Sequence, residues 1–384
     1  MQTLQMKKLI SGTVRAYGAP DFDERGEGIS PRRLPAWTRL QTPELMDVMV
    51  RMPSGVRLQF NTDATRLGLT FLATNLVTPP NERRPVAFNL EIGDQLFSAS
   101  SSAGNTIVLN PKVPGEFELR RGDADTVWFE ELPPGAKDCE LWLPHNAFVE
   151  LRTITVEDGV SLAPSQASSP SGSGRRWIHY GSSISHCMEA DEPAFTWPAV
   201  AARHAGAALQ SLGFGGQCHL DQFVARTIRD SDADVVSIKT GINVINMDSM
   251  RDRVFGPALH GFLDTVREGK PEVPIIVISP IFCPSAELRP GPTVANARGK
   301  FVTIDGHEEI RNGCMSLTKA RAIIADVVER RIAAGDQHLH YVDGLTLFGV
   351  DDAADLPDDL HPNPAGYIRM GERFAPTLAS HLAR

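Results

Sequence analysis

The 384-residue chain is predicted to be an α/β protein in two parts. Residues 1–160 read as an all-β sandwich or jelly roll, 161–174 as a linker, and 175–384 as an open, doubly wound sheet of five parallel strands. Three observations predict this. Short β-branched and aromatic runs recur between turn residues up to about residue 158, a Ser-, Pro- and Gly-rich stretch follows, and from Arg175 strand-like and helix-like segments alternate.

In the first part the runs are VRLQFNT, LGLTFLA, VAFNLEI, NTIVLN, TVWFEEL, CELWLP and FVELRTITV. Several alternate apolar with polar positions, the period of a half-buried antiparallel strand with one face to the core and one to water. Helical periodicity is hard to find there. The intervening MPSG, TPPNERR, RRGDAD and PPGAKD have the chemistry of hairpin or Greek-key corners. Strands so short and so spaced read as a sandwich. The segment SLAPSQASSPSGSG, residues 161–174, lacks the apolar groups to build a core and reads as a linker, flexible or packed.

In the second part RWIHYGS, ALQSLGF, DVVSIKTG, VPIIVISP and HLHYVDG read as strands. AFTWPAVAARHAG, LDQFVARTIR, MRDRVFGPALHGFLDTVREG, SLTKARAIIADVVERRIAAG and a last segment from Pro364 read as helices. Nearly continuous apolar strands separated by helices imply a parallel sheet covered on both faces. Chemistry in such sheets gathers at the carboxyl ends of the strands.

Hydrophobic residues at 42% and charged residues at 22% suit a globular protein. A net charge of −9 gives no basic footprint, so neither nucleic acid nor an anionic membrane is an expected partner. No apolar run reaches the length of a signal core or a membrane span, so the expected location is cytoplasmic. Cys139, Cys187, Cys218, Cys283 and Cys314 are an odd, scattered set without CxxC spacing, which suits buried reduced thiols better than a disulfide frame or a zinc site. GxSxG, HExxH, GxxxxGK[ST] and GxGxxG are absent, so the ordinary α/β-hydrolase, zincin and nucleotide-binding readings have no anchor.

The strand ends carry a different set. The first strand ends in Gly181-Ser182-Ser183-Ile184-Ser185, where a serine is either a nucleophile or the N-cap of the next helix. The second runs into Gly213-Phe214-Gly215-Gly216-Gln217 and the third into Thr240-Gly241-Ile242-Asn243. A glycine lets a backbone N–H approach a ligand and an asparagine amide donates a hydrogen bond, the parts of an oxyanion hole, although each also serves in plain turns. After the fifth strand come Asp358-Asp359-Leu360-His361 and then Pro362-Asn363-Pro364, with Asn363 placed to cap a helix and Pro364 to begin it. An Asp three residues before a His can curl back onto the imidazole, fix its tautomer and stabilise its charged form. The other ring nitrogen is then free to take a proton from a serine. An exposed histidine on a helix-entry loop is the plain alternative. All four features occurring in this order favour a serine nucleophile.

At these residues, 175–384 resemble the SGNH, or GDSL, hydrolase family, named for its Ser, Gly, Asn and His blocks and built on a flavodoxin-like sheet. The third block, often Gly-x-Asn-Asp, here reads Gly241-Ile242-Asn243-Val244, so its Asp is lost. The resemblance implies Ser183 as nucleophile on an ester or thioester, His361 as general base and Asp358 as its partner, Asp359 being one position too late. It implies an oxyanion hole from the N–H groups of Ser183 and Gly216 and the side chain of Asn243, with Gly215 the near alternative. It implies no metal and no cofactor, an acyl-CoA entering only as a co-substrate.

In architecture and length the β-rich part resembles the jelly-roll domain of some carbohydrate esterases and of actinomycete GDSL acyltransferases that tailor polyketides, a salicyl-transferring enzyme of tetracycline biosynthesis among them. Carbohydrate binding, a share in the substrate pocket and a dimer surface are its open roles. Hydrolysis of a small-acyl ester comes first by family frequency. Transfer of an acyl group such as salicyl from a CoA thioester to a hydroxyl of a polyketide or other natural product comes second, and a binding protein with a vestigial triad third. Water or a hydroxylated acceptor would meet the same acyl-enzyme. The small-molecule ester or thioester, with a glycoside or polyketide acceptor, is the expected partner. For substrate contacts the sequence offers Tyr180 and His186, which flank the nucleophile with His179 and Cys187. It also offers Arg289 and Arg298 on the long segment FCPSAELRPGPTVANARGKFVTIDGHEE, where either could meet an acid or phosphate or simply face solvent.

Overall fold

The structure, a computed structural model, describes every residue except 111, 112, 114, 167–173, 305–310 and 384. Two compact units divide the chain: Met1–Leu40, Asp47–Gly174 and Asp191–Ala194 in one, and Gln41–Met46, Arg175–Ala190 and Phe195–Arg384 in the other. Two short segments therefore cross the division expected from sequence. Asp191–Ala194 is held in the first unit by Ser98 Oγ donating to Glu192 (2.7 Å) and by the Ala194 N–H donating to Asn89 Oδ1 (3.0 Å).

The first unit contains two sheets. One runs in the order Phe117–Arg120, Asn105–Leu109, Leu67–Val77, Ala147–Val156, Ile29–Arg32, Asp21–Glu24. Gln2–Gln5 and Asp125–Phe129 attach to its long central strands. The other runs Leu162–Ala163, Arg57–Thr62, Lys137–Trp142, Val86–Ile92, Gln95–Ser101, with Arg15–Tyr17 alongside Arg57–Thr62. The alternation read from sequence is visible in Leu67, Leu69, Phe71 and Ala73, which are buried while Thr70, Leu72 and Thr74 between them are half-exposed.

Part of the expected linker is strand. Leu162–Ala163 pairs with Asn61 and Thr62, and the Ser161 N–H donates to Asp63 Oδ1 at 2.7 Å, so the chain stays on the sheet before 167–173, which lie outside the described residues. A short helix, Glu44–Val50, also interrupts a half that was expected to be all β.

In the second unit five parallel strands run in the order Ala208–Gly213, Arg176–Gly181, Val235–Lys239, Ile275–Ile278, Leu339–Val342. In chain order this is 2-1-3-4-5, the flavodoxin-like arrangement. Helices cover both faces, and the first strand shows how. Trp177 meets Trp197 of helix Trp197–Ala205 and Phe374 of helix Pro364–Leu382 (ring centroids 6.2 and 5.6 Å), while Tyr180, on the opposite face, stacks on Phe262 of helix Asp252–Gly269 at 5.3 Å. Among the described residues no helix is long and apolar enough to cross a membrane.

The long segment after the fourth strand contains a hairpin, Thr293–Ala295 against Phe301–Thr303. All five cysteines are free and buried.

Candidate active site

Ser183 starts a one-turn helix, Ser183–His186, at the end of the first strand. Its neighbour Ser182 is the N-cap and accepts the Ile184 N–H at 3.3 Å. The two roles open to a serine here therefore fall on different residues. The turn is anchored from below by Ser185 Oγ, 2.7 Å from His179 Nε2, while His179 Nδ1 lies 2.7 Å from Ser237 Oγ on the adjacent strand. A Cβ on Gly213 would overlap the Ser185 and His186 backbone, so that strand end must be glycine for the turn to sit so close. Cys187 ends the helix in the left-handed region (φ +61), with its N–H donating to Ser183 O at 2.7 Å.

The loop after the fifth strand brings its histidine to this serine. His361 Nε2 lies 2.9 Å from Ser183 Oγ, and His361 Nδ1 lies 2.7 Å from Asp358 Oδ2, across 178 residues of chain and three residues respectively. Asp358 Oδ1 accepts the backbone N–H groups of Leu360 (2.9 Å) and His361 (2.7 Å), so the same carboxylate folds the loop and orients the ring. Asp359 points elsewhere, 3.1 Å from Lys300 Nζ. Behind the loop, Asn363 Oδ1 accepts the Gly366 N–H at 2.8 Å and Pro364 opens the C-terminal helix, as the sequence predicts. From the hairpin, the Phe301 N–H donates to Asp358 O at 2.9 Å and its ring stands edge-on to His361, centroids 5.6 Å apart.

Electrostatics favour the charged imidazole. Burial works against the charge, but Glu189 and Asp358 outweigh it and push His361 up to about 9. Burial likewise disfavours the Asp358 carboxylate, yet the bond to His361 and the two backbone N–H groups hold it below the usual range.

In the short helix Ile242–Asn246 after the third strand, Asn243 is buried and its Oδ1 accepts the Cys218 N–H at 2.9 Å. That fixes the amide with Nδ2 turned away from the Cys218 loop, and among the described residues Nδ2 has no acceptor. Gly216 adopts φ +68, and its carbonyl accepts from His219 Nε2 at 3.0 Å, which makes Nε2 the protonated nitrogen of that ring. Among the described residues no group of three or more His, Cys, Asp or Glu is placed to hold a metal ion.

Two expected substrate contacts are corrected. Tyr180 and His186 have no exposed surface. Tyr180 instead packs on Phe262 and accepts the Leu220 N–H at 3.2 Å. Arg289 and Arg298 are exposed on the segment bearing the hairpin, where the Arg298 N–H donates to Asn296 Oδ1 in its turn. Sequence reasoning missed Glu189, Tyr367 and Phe301. Glu189 Oε1 lies 3.8 Å from His361 Nδ1 and Oε2 accepts the Tyr367 hydroxyl at 2.8 Å.

Residues 175–290 match the GDSL-like Lipase/Acylhydrolase family. Over 99% of this chain and 97% of the other, the protein is similar to the salicylyl-acyltransferase SsfX3 from a tetracycline biosynthetic pathway, with 26% identity and a TM-score of 0.80. It shares its fold with a putative GDSL-like lipase from Bacteroides ovatus ATCC 8483 (17% identity, TM-score 0.70, covering 100% and 98%). An active-site mutant of a family two carbohydrate esterase from Clostridium thermocellum also has this fold (15%, 0.60, 97% and 99%). Comparison with curated proteins gave no match. The matched family segment holds Ser183, Gly216 and Asn243, and the whole-chain likeness extends through the loop of Asp358 and His361. Over residues 175–290 the second unit is thus of the GDSL-like lipase/acylhydrolase kind, and the whole-chain likeness to SsfX3 supports an enzyme of the esterase or acyltransferase kind.

Proposed function

We propose that the protein is a serine acyltransferase working through a covalent acyl-enzyme on Ser183. The observation that carries this is the continuous bonded path from Asp358 through His361 to Ser183 Oγ. Ser183 Oγ attacks the acyl carbonyl while His361 Nε2 takes its proton, and Asp358 holds the resulting imidazolium. The carbonyl oxygen becomes an oxyanion facing the N–H groups of Ser183 and Gly216 and the Nδ2 of Asn243, donors fixed before reaction. Collapse expels the leaving thiolate or alkoxide, which receives the proton from His361. A hydroxyl acceptor then attacks the acyl-enzyme, gives its proton to His361, and leaves as the new ester when Ser183 recovers that proton.

Transfer stands ahead of hydrolysis, reversing the order that family frequency suggests. The whole-chain likeness to a salicylyl-acyltransferase exceeds that to the carbohydrate esterase in both identity and TM-score. The donor in this reading is an acyl thioester such as an acyl-CoA. Hydrolysis of a small-acyl ester uses the same residues, with water as acceptor.

The test has two arms. Ser183→Ala should abolish fluorophosphonate labelling and p-nitrophenyl acetate cleavage without unfolding the protein, and labelling that persisted would move the nucleophile elsewhere. For the wild type, the acyl-enzyme is followed by mass spectrometry in water and with hydroxylated aromatic polyketides. Decay that no acceptor accelerates would leave hydrolysis as the reaction.

A further inference from the structure

We propose, on the footing that His361 is the base, that Glu189 is a second positioning carboxylate for its ring, held in place by Tyr367. Asp358 is already fully engaged, with Oδ1 taken by two backbone N–H groups and Oδ2 by Nδ1 itself. Glu189 comes from a different element. The nucleophile's helix stops after one turn at left-handed Cys187, and the turn that follows, closed by the Ala190 N–H on Cys187 O (3.0 Å), delivers Glu189 to the Nδ1 side of the ring. At 3.8 Å, Oε1 makes an ion pair rather than a hydrogen bond. Its other oxygen is fixed by the hydroxyl of Tyr367, a buried residue one turn into the helix that His361 precedes.

This geometry is electrostatic in purpose. An ion pair without a hydrogen bond gains little from a neutral ring and much from a charged one, so Glu189 acts when His361 has taken the proton from Ser183 Oγ. The cost is that the resting enzyme also holds the proton more tightly, which moves activity to alkaline pH. The charged and titratable groups around the ring are Asp358 on its own loop, Glu189 from the nucleophile's turn and Tyr367 from the C-terminal helix. Beyond them lie the Cys187 and Cys283 thiols, and Lys300 from the hairpin, which is already paired with Asp359.

The experiment is the pH profile of kcat/KM for p-nitrophenyl acetate in the full chain, with fluorophosphonate labelling rates alongside. Glu189→Gln keeps an acceptor for Tyr367 and removes the charge. Its acid limb should move to lower pH by about one unit, with a lower plateau at high pH. Tyr367→Phe should move the limb the same way by less, and Glu189→Asp should restore part of the wild-type profile. These latter two variants carry the test if Glu189→Gln does not fold. An unmoved limb in Glu189→Gln, or in Tyr367→Phe where only that variant folds, overturns the proposal while His361→Ala still abolishes labelling. Labelling that survives His361→Ala would instead remove the base itself, and the proposal with it.

Discussion

Replacing Asp358 and Asp359 one at a time by Asn separates two neighbouring carboxylates by the work each does. Asn at 358 can still accept the Leu360 and His361 N–H groups through its oxygen, so the loop should hold, but it brings no charge to Nδ1. Loss of the orienting carboxylate in a serine triad costs about 10⁴-fold in kcat. Here Glu189 remains 3.8 Å from the same nitrogen, so the loss should be smaller, about 10²- to 10⁴-fold, or about 3 to 5 kcal/mol of transition-state stabilisation. Among the described residues the Asp359 side chain pairs only with Lys300, and both side chains are partly exposed (34% and 47%), so its removal should cost at most about 1 kcal/mol of stability and leave kcat/KM within a few-fold. Steady-state p-nitrophenyl acetate kinetics beside a thermal melt of each variant decide the matter. A larger kinetic loss at Asp359 would refute the assignment of Asp358.

Two further outcomes follow from charge and from space. Because His361 is raised to about 9 from its ordinary 6.5, its contribution to stability is fully present below about 6.5 and lost as pH rises through about 9, up to about 3 kcal/mol. Urea titrations at the two ends should show this in the wild type and not in His361→Asn, and an equal loss in both would assign it to another group. Catalysis runs the other way: the base must be neutral, so kcat/KM should rise about 50-fold between pH 7 and 9, and a flat profile would contradict the raised value. Gly213→Ala should destabilise by about 1–3 kcal/mol and depress activity by pushing on the nucleophile turn. Gly216→Ala meets open space but a positive φ, so its cost should be nearer 1 kcal/mol, and urea midpoints in the reverse order would contradict the close approach at Gly213.

What could be read from the sequence follows from how local each signal is. The parallel sheet was legible because strands such as VVSIK and IIVI are buried on both faces and need no distant partner to reveal them. Asp358 and His361 were legible because the bond that matters spans three residues. In the first unit the strands Gln2–Gln5, Arg15–Tyr17 and Asp21–Glu24 escaped notice, being short and largely polar and lying beside strands that supply the core. Asp21–Glu24 is held in part by ion pairs with arginines far off in sequence, Arg39 to Asp21 at 2.7 Å among them, which no periodicity can announce.

Tyr180 and Glu189 went wrong in opposite directions for one physical reason. Proximity to Ser183 in sequence suggested that Tyr180 lines the pocket, but a strand sends alternate side chains to opposite faces of the sheet, and Tyr180 goes under the helices to Phe262. The site lies beyond the strand ends, so its walls come from whatever the loops deliver there. Glu189 is delivered because Cys187 breaks the helix in a left-handed conformation, one that a non-glycine residue rarely adopts, and because a tyrosine 178 residues away supplies its hydrogen bond. Neither cause is visible in a five-residue window. Residues adjacent to Ser183 in sequence therefore report on the support beneath it, as His179 and Ser185 do, whereas His361, which reaches its Oγ, and Glu189, which reaches that ring, arrive on separate loops.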